Sequence, residues 1–137
     1  MKVGNKLTLF LSIAIVLPMV LATPTSSVPM TAQMKLKILS PKDYAAHVAL
    51  HKYGWGQTQH KCLKALWGKE SAWNYLAKSK TKDYGIPQRH MSQNTKIEIQ
   101  DFLRSPQIQI EWGLNYINNR YGSPCKAWAF HNKNNWY

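Results

Sequence analysis

A mostly helical domain with one small irregular lobe is the fold class that the sequence predicts. Ser-Pro dipeptides at Ser40-Pro41, Ser105-Pro106 and Ser123-Pro124 each read as a helix start. Apolar residues then recur every three or four positions, and only residues 74–104 lack that period. In such a pair the serine accepts a bond from an early helical N–H, and the proline suits the first helical position.

The first helix should run over about 41–53, with Asp43 favourably placed in its first turn and Gly54 or Gly56 as its stop. Thr58 to Lys69 should form the second. Cys62, Leu66 and Glu70 stand at i, i+4 and i+8 on one face, while Lys61, Lys64 and Lys69 fall largely elsewhere. Glu70 thus ends an apolar stripe, where desolvation raises a carboxyl's pKa toward what a general acid needs at neutral pH. The plainer alternative is a glutamate that reaches solvent past the helix end. Over 106–121, Ile110, Leu114, Ile117 and Tyr121 keep helical spacing, with Gly122 as the stop. The last Ser-Pro opens a short helix carrying Cys125, Trp128 and Ala129. Between residues 74 and 104, Tyr84-Gly85-Ile86-Pro87-Gln88 reads as a turn, and Lys96 to Leu103 alternates only briefly. That lobe is expected to hold at most a short strand or helical turn.

Residues 1–22 read as a secretory signal: Lys2 and Lys6, an apolar run from Leu7 to Leu21, and cleavage after Ala22. The run is short of the ~20 residues that span a bilayer, so an uncleaved anchor is the lesser alternative. Residues 23–39 read as a linker and 40–137 as the functional domain. In the oxidising compartment that export implies, Cys62 and Cys125 would pair, which the chain-entropy model values at about 4 kcal/mol. Two buried free thiols are the alternative.

The 137 residues include 18 Lys and Arg against only six acids, for a net charge of +12. Such a field favours anionic partners. Two cysteines are too few for a four-cysteine zinc site. His47 and His51, at i and i+4, have no glutamate between them and no third ligand, so they read as a helix face. No phosphate-binding loop or dinucleotide glycine pattern occurs, and no cofactor or metal is expected. Export and the lack of a nucleic-acid motif exclude that partner class. A monomer is expected.

Cys62-Leu-Lys-Ala-Leu-Trp-Gly-Lys-Glu70-Ser71-Ala-Trp73-Asn74 resembles the Glu-Ser helix end of lytic transglycosylases. Tyr84-Gly-Ile-Pro-Gln88 is similar to the Gly-Leu-Met-Gln motif that follows it, and the stretch from Ile110 to Cys125 and the close from Ala127 to Tyr137 continue the match in order. The resemblance covers roughly residues 58–137. It implies a lysozyme-like fold and cleavage of the bond from N-acetylmuramic acid to N-acetylglucosamine in peptidoglycan. It also implies Glu70 as the catalytic acid, with Ser71, Tyr84, Gln88 and Tyr116 around the substrate. Trp73, three residues after the acid, is the best tryptophan candidate for the cleft. The family's terminal Ala-Tyr-Asn stands here as Phe130-His131-Asn132, so either Phe130 or His131 fills the tyrosine's place.

Ordinary glycosidases set two carboxyls across the bond. Here one acid alone has a motif around it. A lone Glu70 suffices if the sugar's own 2-acetamido oxygen attacks its anomeric carbon and its 6-hydroxyl closes a 1,6-anhydro ring. Asp83 is the counter-candidate: holding a water, it would make the enzyme a hydrolysing muramidase. A solvated acid among Lys78, Lys80 and Lys82 is the preferred reading. A non-catalytic basic binder of wall glycan is the remaining class, and the inward Glu70 argues against it.

Overall fold

The computed structural model describes residues 31–37 and 39–137. The expected signal, residues 1–22, lies outside the described residues, as does most of the expected linker. Within the described part of that linker, Ala32–Lys37 forms helix α1. Among the described residues no helix is long and apolar enough to cross a membrane.

The helices follow their local signals closely. Helix α2 spans Pro41–Tyr53, with the Ser40 hydroxyl accepting from the Asp43 N–H and Gly54 closing the end in a left-handed conformation. Helix α3 spans Gln57–Ser71 and carries Glu70 in its last turn. Two short strands, β1 (Asp83–Tyr84) and β2 (Arg89–His90), pair antiparallel with Asp83 opposite His90. Helix α4 spans Lys96–Leu103. Helix α5, Pro106–Tyr121, starts on a Ser105 cap and stops at Gly122. Helix α6, Pro124–Asn134, opens at the third Ser-Pro, but the Ser123 side chain makes no capping bond.

Helix α4 is longer than the helical turn the sequence suggested. Its signal is a capping box: Thr95 accepts from the Glu98 N–H while the Glu98 carboxylate accepts from the Thr95 N–H. The alternation of Ile97 and Ile99 obscures it in the sequence.

Helix α3 packs mainly on α6, and α2 on α5. Leu63, Leu66, Trp67, Ile110, Leu114 and Ile117 form a fully buried core between them. The Cys62–Cys125 disulfide joins α3 to α6, as expected. Gly113 lets α5 approach closely, since a β-carbon there would stand 2.6 Å from the Trp67 ring and 3.0 Å from Pro87.

The lobe has its own small core of Tyr84, Met91 and Phe102. It is tied to the helices mainly by side chains that bond its backbone. Gln109, fully buried on α5, accepts from the Ile86 N–H (2.8 Å) and donates to the carbonyls of Tyr75 (2.9 Å) and Phe102 (3.2 Å). Ser71 donates to the Ile86 carbonyl at 2.8 Å, and the Tyr137 hydroxyl donates to that of Pro87 at 3.0 Å. Gly85, at φ +73°, leaves no room for a β-carbon, which would lie 2.2 Å from Gln109 Oε1.

A buried polar group left without its partner costs about 1–3 kcal/mol. Gln109→Leu strands one N–H and two carbonyls, so urea unfolding should show a loss of roughly 2–4 kcal/mol. A loss below about 1 kcal/mol would mean that water or a neighbour takes over these bonds.

Candidate active-site cleft

A cavity of about 520 Å³ opens between the lobe and the helices, and Glu70 lies in its wall. Lys69 and Glu70 come from the end of α3, Asp83 and His90 from the strand pair, Pro87, Gln88 and Arg89 from the turn between the strands and the start of β2. Trp112 and Tyr116 come from α5, and His131 from α6. Asn135, Trp136 and Tyr137 complete the lining.

Glu70 is only 16% exposed. Desolvation, and next the charge of Asp83, push its pKa up from 4.5 to about 7. Its Oε1 lies 3.0 Å from His131 Nε2, and that imidazole is only 12% exposed. Burial, and next the charge of Lys69, hold the His131 pKa below its ordinary value. Both groups are thus driven toward their neutral forms, so near neutral pH the contact is mainly a hydrogen bond and not an ion pair. His131 also stacks on Trp128, with ring centres 5.5 Å apart, which fixes its plane. Phe130 packs instead against Tyr121 and Trp136. Of the two residues that could stand for the family tyrosine, His131 is the one that reaches the acid.

Asp83 shares the cavity but is fully engaged. Its Oδ2 accepts from the Ser79 hydroxyl at 2.7 Å and the Thr81 hydroxyl at 2.5 Å. Its Oδ1 meets His90 Nδ1 at 2.8 Å. Partial burial opposes its charge, but the bonds from Thr81, Ser79 and His90 outweigh that and hold its pKa below the ordinary value. The cleft therefore contains one carboxyl driven toward its protonated form and one held ionised, a separation set by their surroundings.

The remaining expected substrate contacts divide. Gln88 and Tyr116 line the cavity. Gln88 is held at φ +49° with its carboxamide donating to the Gly85 carbonyl at 2.9 Å. Tyr116 stacks on Trp112 at 5.2 Å and accepts from Arg120 at 3.0 Å. Ser71, Trp73 and Tyr84 do not line the cavity. The Ser71 hydroxyl is spent on the Ile86 carbonyl. Trp73 is buried against Trp67 and donates to the Lys64 carbonyl. Tyr84 is buried in the lobe core. These three hold the walls of the cleft and do not form its surface. Sequence reasoning missed Arg89, His90, Trp112, Trp136 and Tyr137. Trp112 had a readable signal, since it lies one helical turn before Tyr116. The Tyr137 hydroxyl accepts from the Trp67 indole at 2.8 Å, a contact between residues 70 apart in the chain that no spacing announces. Among the described residues no cluster of three His, Cys, Asp or Glu could hold a metal ion.

A family model described as Transglycosylase SLT domain matches residues 51–132, well over half of the chain. The match runs from the last turn of α2 into α6 and takes in Glu70, Asp83, Tyr116 and His131. Searches of curated proteins and of solved structures returned no match.

A carboxyl raised to about 7 binds its proton more tightly in the folded state than in the unfolded one. Folded-state stability from this group therefore falls as pH rises from about 4.5 and levels off above about 7. Glu70→Gln removes the effect. The melting temperature of the variant relative to the parent should rise across that window and stay constant beyond it. A difference that is flat with pH would mean that Glu70 titrates as an exposed carboxyl does.

Proposed function

Since the chain belongs to the transglycosylase SLT domain family, enzymes that cleave peptidoglycan glycan strands, we propose that Glu70 alone serves as the acid and then the base of this cleavage. The observation that carries the reading is the largely buried Glu70 carboxyl 3.0 Å from the His131 imidazole, sharing its cavity with an Asp83 whose oxygens are both occupied.

In the first step the protonated Glu70 donates to the oxygen leaving the muramic acid anomeric carbon, while the sugar's own 2-acetamido oxygen attacks that carbon. In the second, the Glu70 carboxylate takes the proton of the sugar's 6-hydroxyl as that oxygen displaces the acetamido group. The product is a 1,6-anhydro end, and no water is consumed. With His131 as its Nε2–H tautomer, Oε1 accepts a bond throughout and Oε2 is left to carry the travelling proton. That bond favours the carboxylate formed between the two steps. Asp83 acts by its charge: it raises the Glu70 pKa and favours positive charge developing on the sugar ring. With both oxygens already hydrogen-bonded, it is poorly placed to activate water, which favours the anhydro product over hydrolysis. Gln88, Tyr116 and Trp112 line the strand's path with an amide and two aromatic side chains. The basic surface holds the enzyme to anionic wall polymers, and export follows from the signal-like residues 1–22.

Mass analysis of products from purified peptidoglycan tests the chemistry directly. Glu70→Gln should lose activity by orders of magnitude while still binding the wall, whereas Asp83→Asn should retain turnover and an anhydro product. Removing the Asp83 charge should also lower the Glu70 pKa, moving the fall in rate on the alkaline side to lower pH. Equal collapse of both variants, or hydrated reducing ends as product, would make this a two-carboxylate hydrolase.

Binding of the Glu70→Gln protein to insoluble peptidoglycan should weaken as salt rises, because exposed charges are screened beyond ~8 Å at physiological ionic strength. Salt-independent binding would assign retention to stacking in the cleft.

A further inference from the structure

Residues 74–82 form the loop between α3 and β1, and none of them lines the Glu70 cleft. The loop is nonetheless firmly held. The Asn74 side-chain carbonyl accepts from the Leu76 N–H at 2.9 Å, and the Gly85 N–H donates to the Ala77 carbonyl at 2.8 Å. The Ser79 N–H donates to the Asp83 carbonyl at 2.9 Å, and Gln109 holds the Tyr75 carbonyl from inside the core. This frame presents apolar and cationic side chains together. Tyr75 and Leu76 are 37% and 59% exposed, and Lys78, Lys80 and Lys82 are exposed just beyond them. Lys42 of α2 adds a cation at the base of the loop, its Nζ 6.0 Å from the Trp73 ring centre. No acid occurs from Ser71 to Lys82. The first one after them, Asp83, has both oxygens engaged by Ser79, Thr81 and His90.

We propose that this loop docks the protein on the surface of an anionic lipid bilayer. Two features together select a bilayer over a dissolved polyanion. A polyanion in water would engage the lysines but leave Tyr75 and Leu76 in solvent. A bilayer satisfies both: its phosphates meet the lysines, the leucine enters the acyl boundary, and the tyrosine ring lies at headgroup level with its hydroxyl hydrated. The lysine stems add apolar length while their ammonium groups stay in water. Because the loop is already fixed by hydrogen bonds, docking spends little on ordering it. Two apolar side chains and a few lysines make a reversible attachment, unlike a spanning helix. The loop runs directly into Asp83, which lines the cleft, so docking holds the cleft near the lipid surface. The docking does not depend on the role proposed for Glu70. With that role, it directs cleavage to the strands nearest the bilayer.

The test uses isotope-labelled protein recovered after export, its N-terminus read by mass spectrometry. It is titrated with bicelles of phosphatidylcholine alone, or of phosphatidylcholine and phosphatidylglycerol in equal parts, each with a trace of nitroxide-labelled lipid. Amide resonances of residues 75–82 should broaden with the mixed bicelles and not with phosphatidylcholine alone. Leu76→Asn should weaken binding about tenfold and Lys80→Gln about fivefold. Both positions are exposed, so the melting temperature should not change. Broadening centred on another face, or parental binding by Leu76→Asn, would overturn the proposal. Poly(glycerol phosphate) is the competing probe. If it shifts residues 75–82 at the same affinity as the mixed bicelles, with no effect of Leu76→Asn on either, the loop serves a soluble polyanion and the proposal falls. An uncleaved apolar run would add affinity equally to parent and variants, so the loop resonances and the comparison still decide. No peptidoglycan is present, so a failure of the Glu70 reading leaves this result untouched.

Discussion

The carboxamide of Gln109 is the interaction on which the cleft depends. The lobe contains only two residue pairs of strand and one two-turn helix, and much of its backbone bonding runs through turns. Gln109 adds three bonds from inside the helical core, to segments far apart in sequence. Its Oε1 occupies the space that a β-carbon on Gly85 would need. The turn that follows, Ile86 to Gln88, forms one wall of the cleft, and Ser71 and Tyr137 brace the same turn. The wall of the cleft thus stands where buried backbone groups find side-chain partners.

The electrostatics follow from the same arrangement. Glu70 ends an apolar stripe and is desolvated by it, whereas Asp83 stands on a strand edge where hydroxyls and an imidazole reach it. Two carboxyls in one cavity thereby separate into an acid and a fixed negative charge without a metal ligand or a disulfide at either. The chain has only six acids, and among the described residues no third carboxyl lines this cavity.

Much of the helical frame was legible because capping is local. Ser-Pro pairs and terminal glycines placed α2 and α5, and the i, i+4, i+8 stripe placed Glu70 at a helix end facing inward. Helix α4 was obscured because its two isoleucines mimic a strand period, although the Thr95–Glu98 box marks its start. The site was legible to the extent that motifs lie on surfaces. A motif tells that Ser71, Trp73 and Tyr84 belong to the neighbourhood of the acid, but not on which side of the wall each stands. Backbone at positive φ decides that for Trp73, at +65°, and no residue type signals it there. His131 and Tyr137 reach the cleft only through the packing of α6 on α3, which no spacing in the chain encodes.

The disulfide and the Glu70–His131 contact tie the same two helices at two heights. Cys62 precedes Glu70 by two turns and Cys125 precedes His131 by nearly two, so both helices run away from the bridge toward the acid. The bridge is then a pivot, and each helix a lever arm of roughly 10 Å at 1.5 Å per residue. A tilt of about 5° at the pivot moves the far end by nearly 1 Å, enough misplacement to cost a reaction of this kind a large factor in rate. The tolerance of the chemistry is thus an angular one, set at a crosslink well away from the bond being cut.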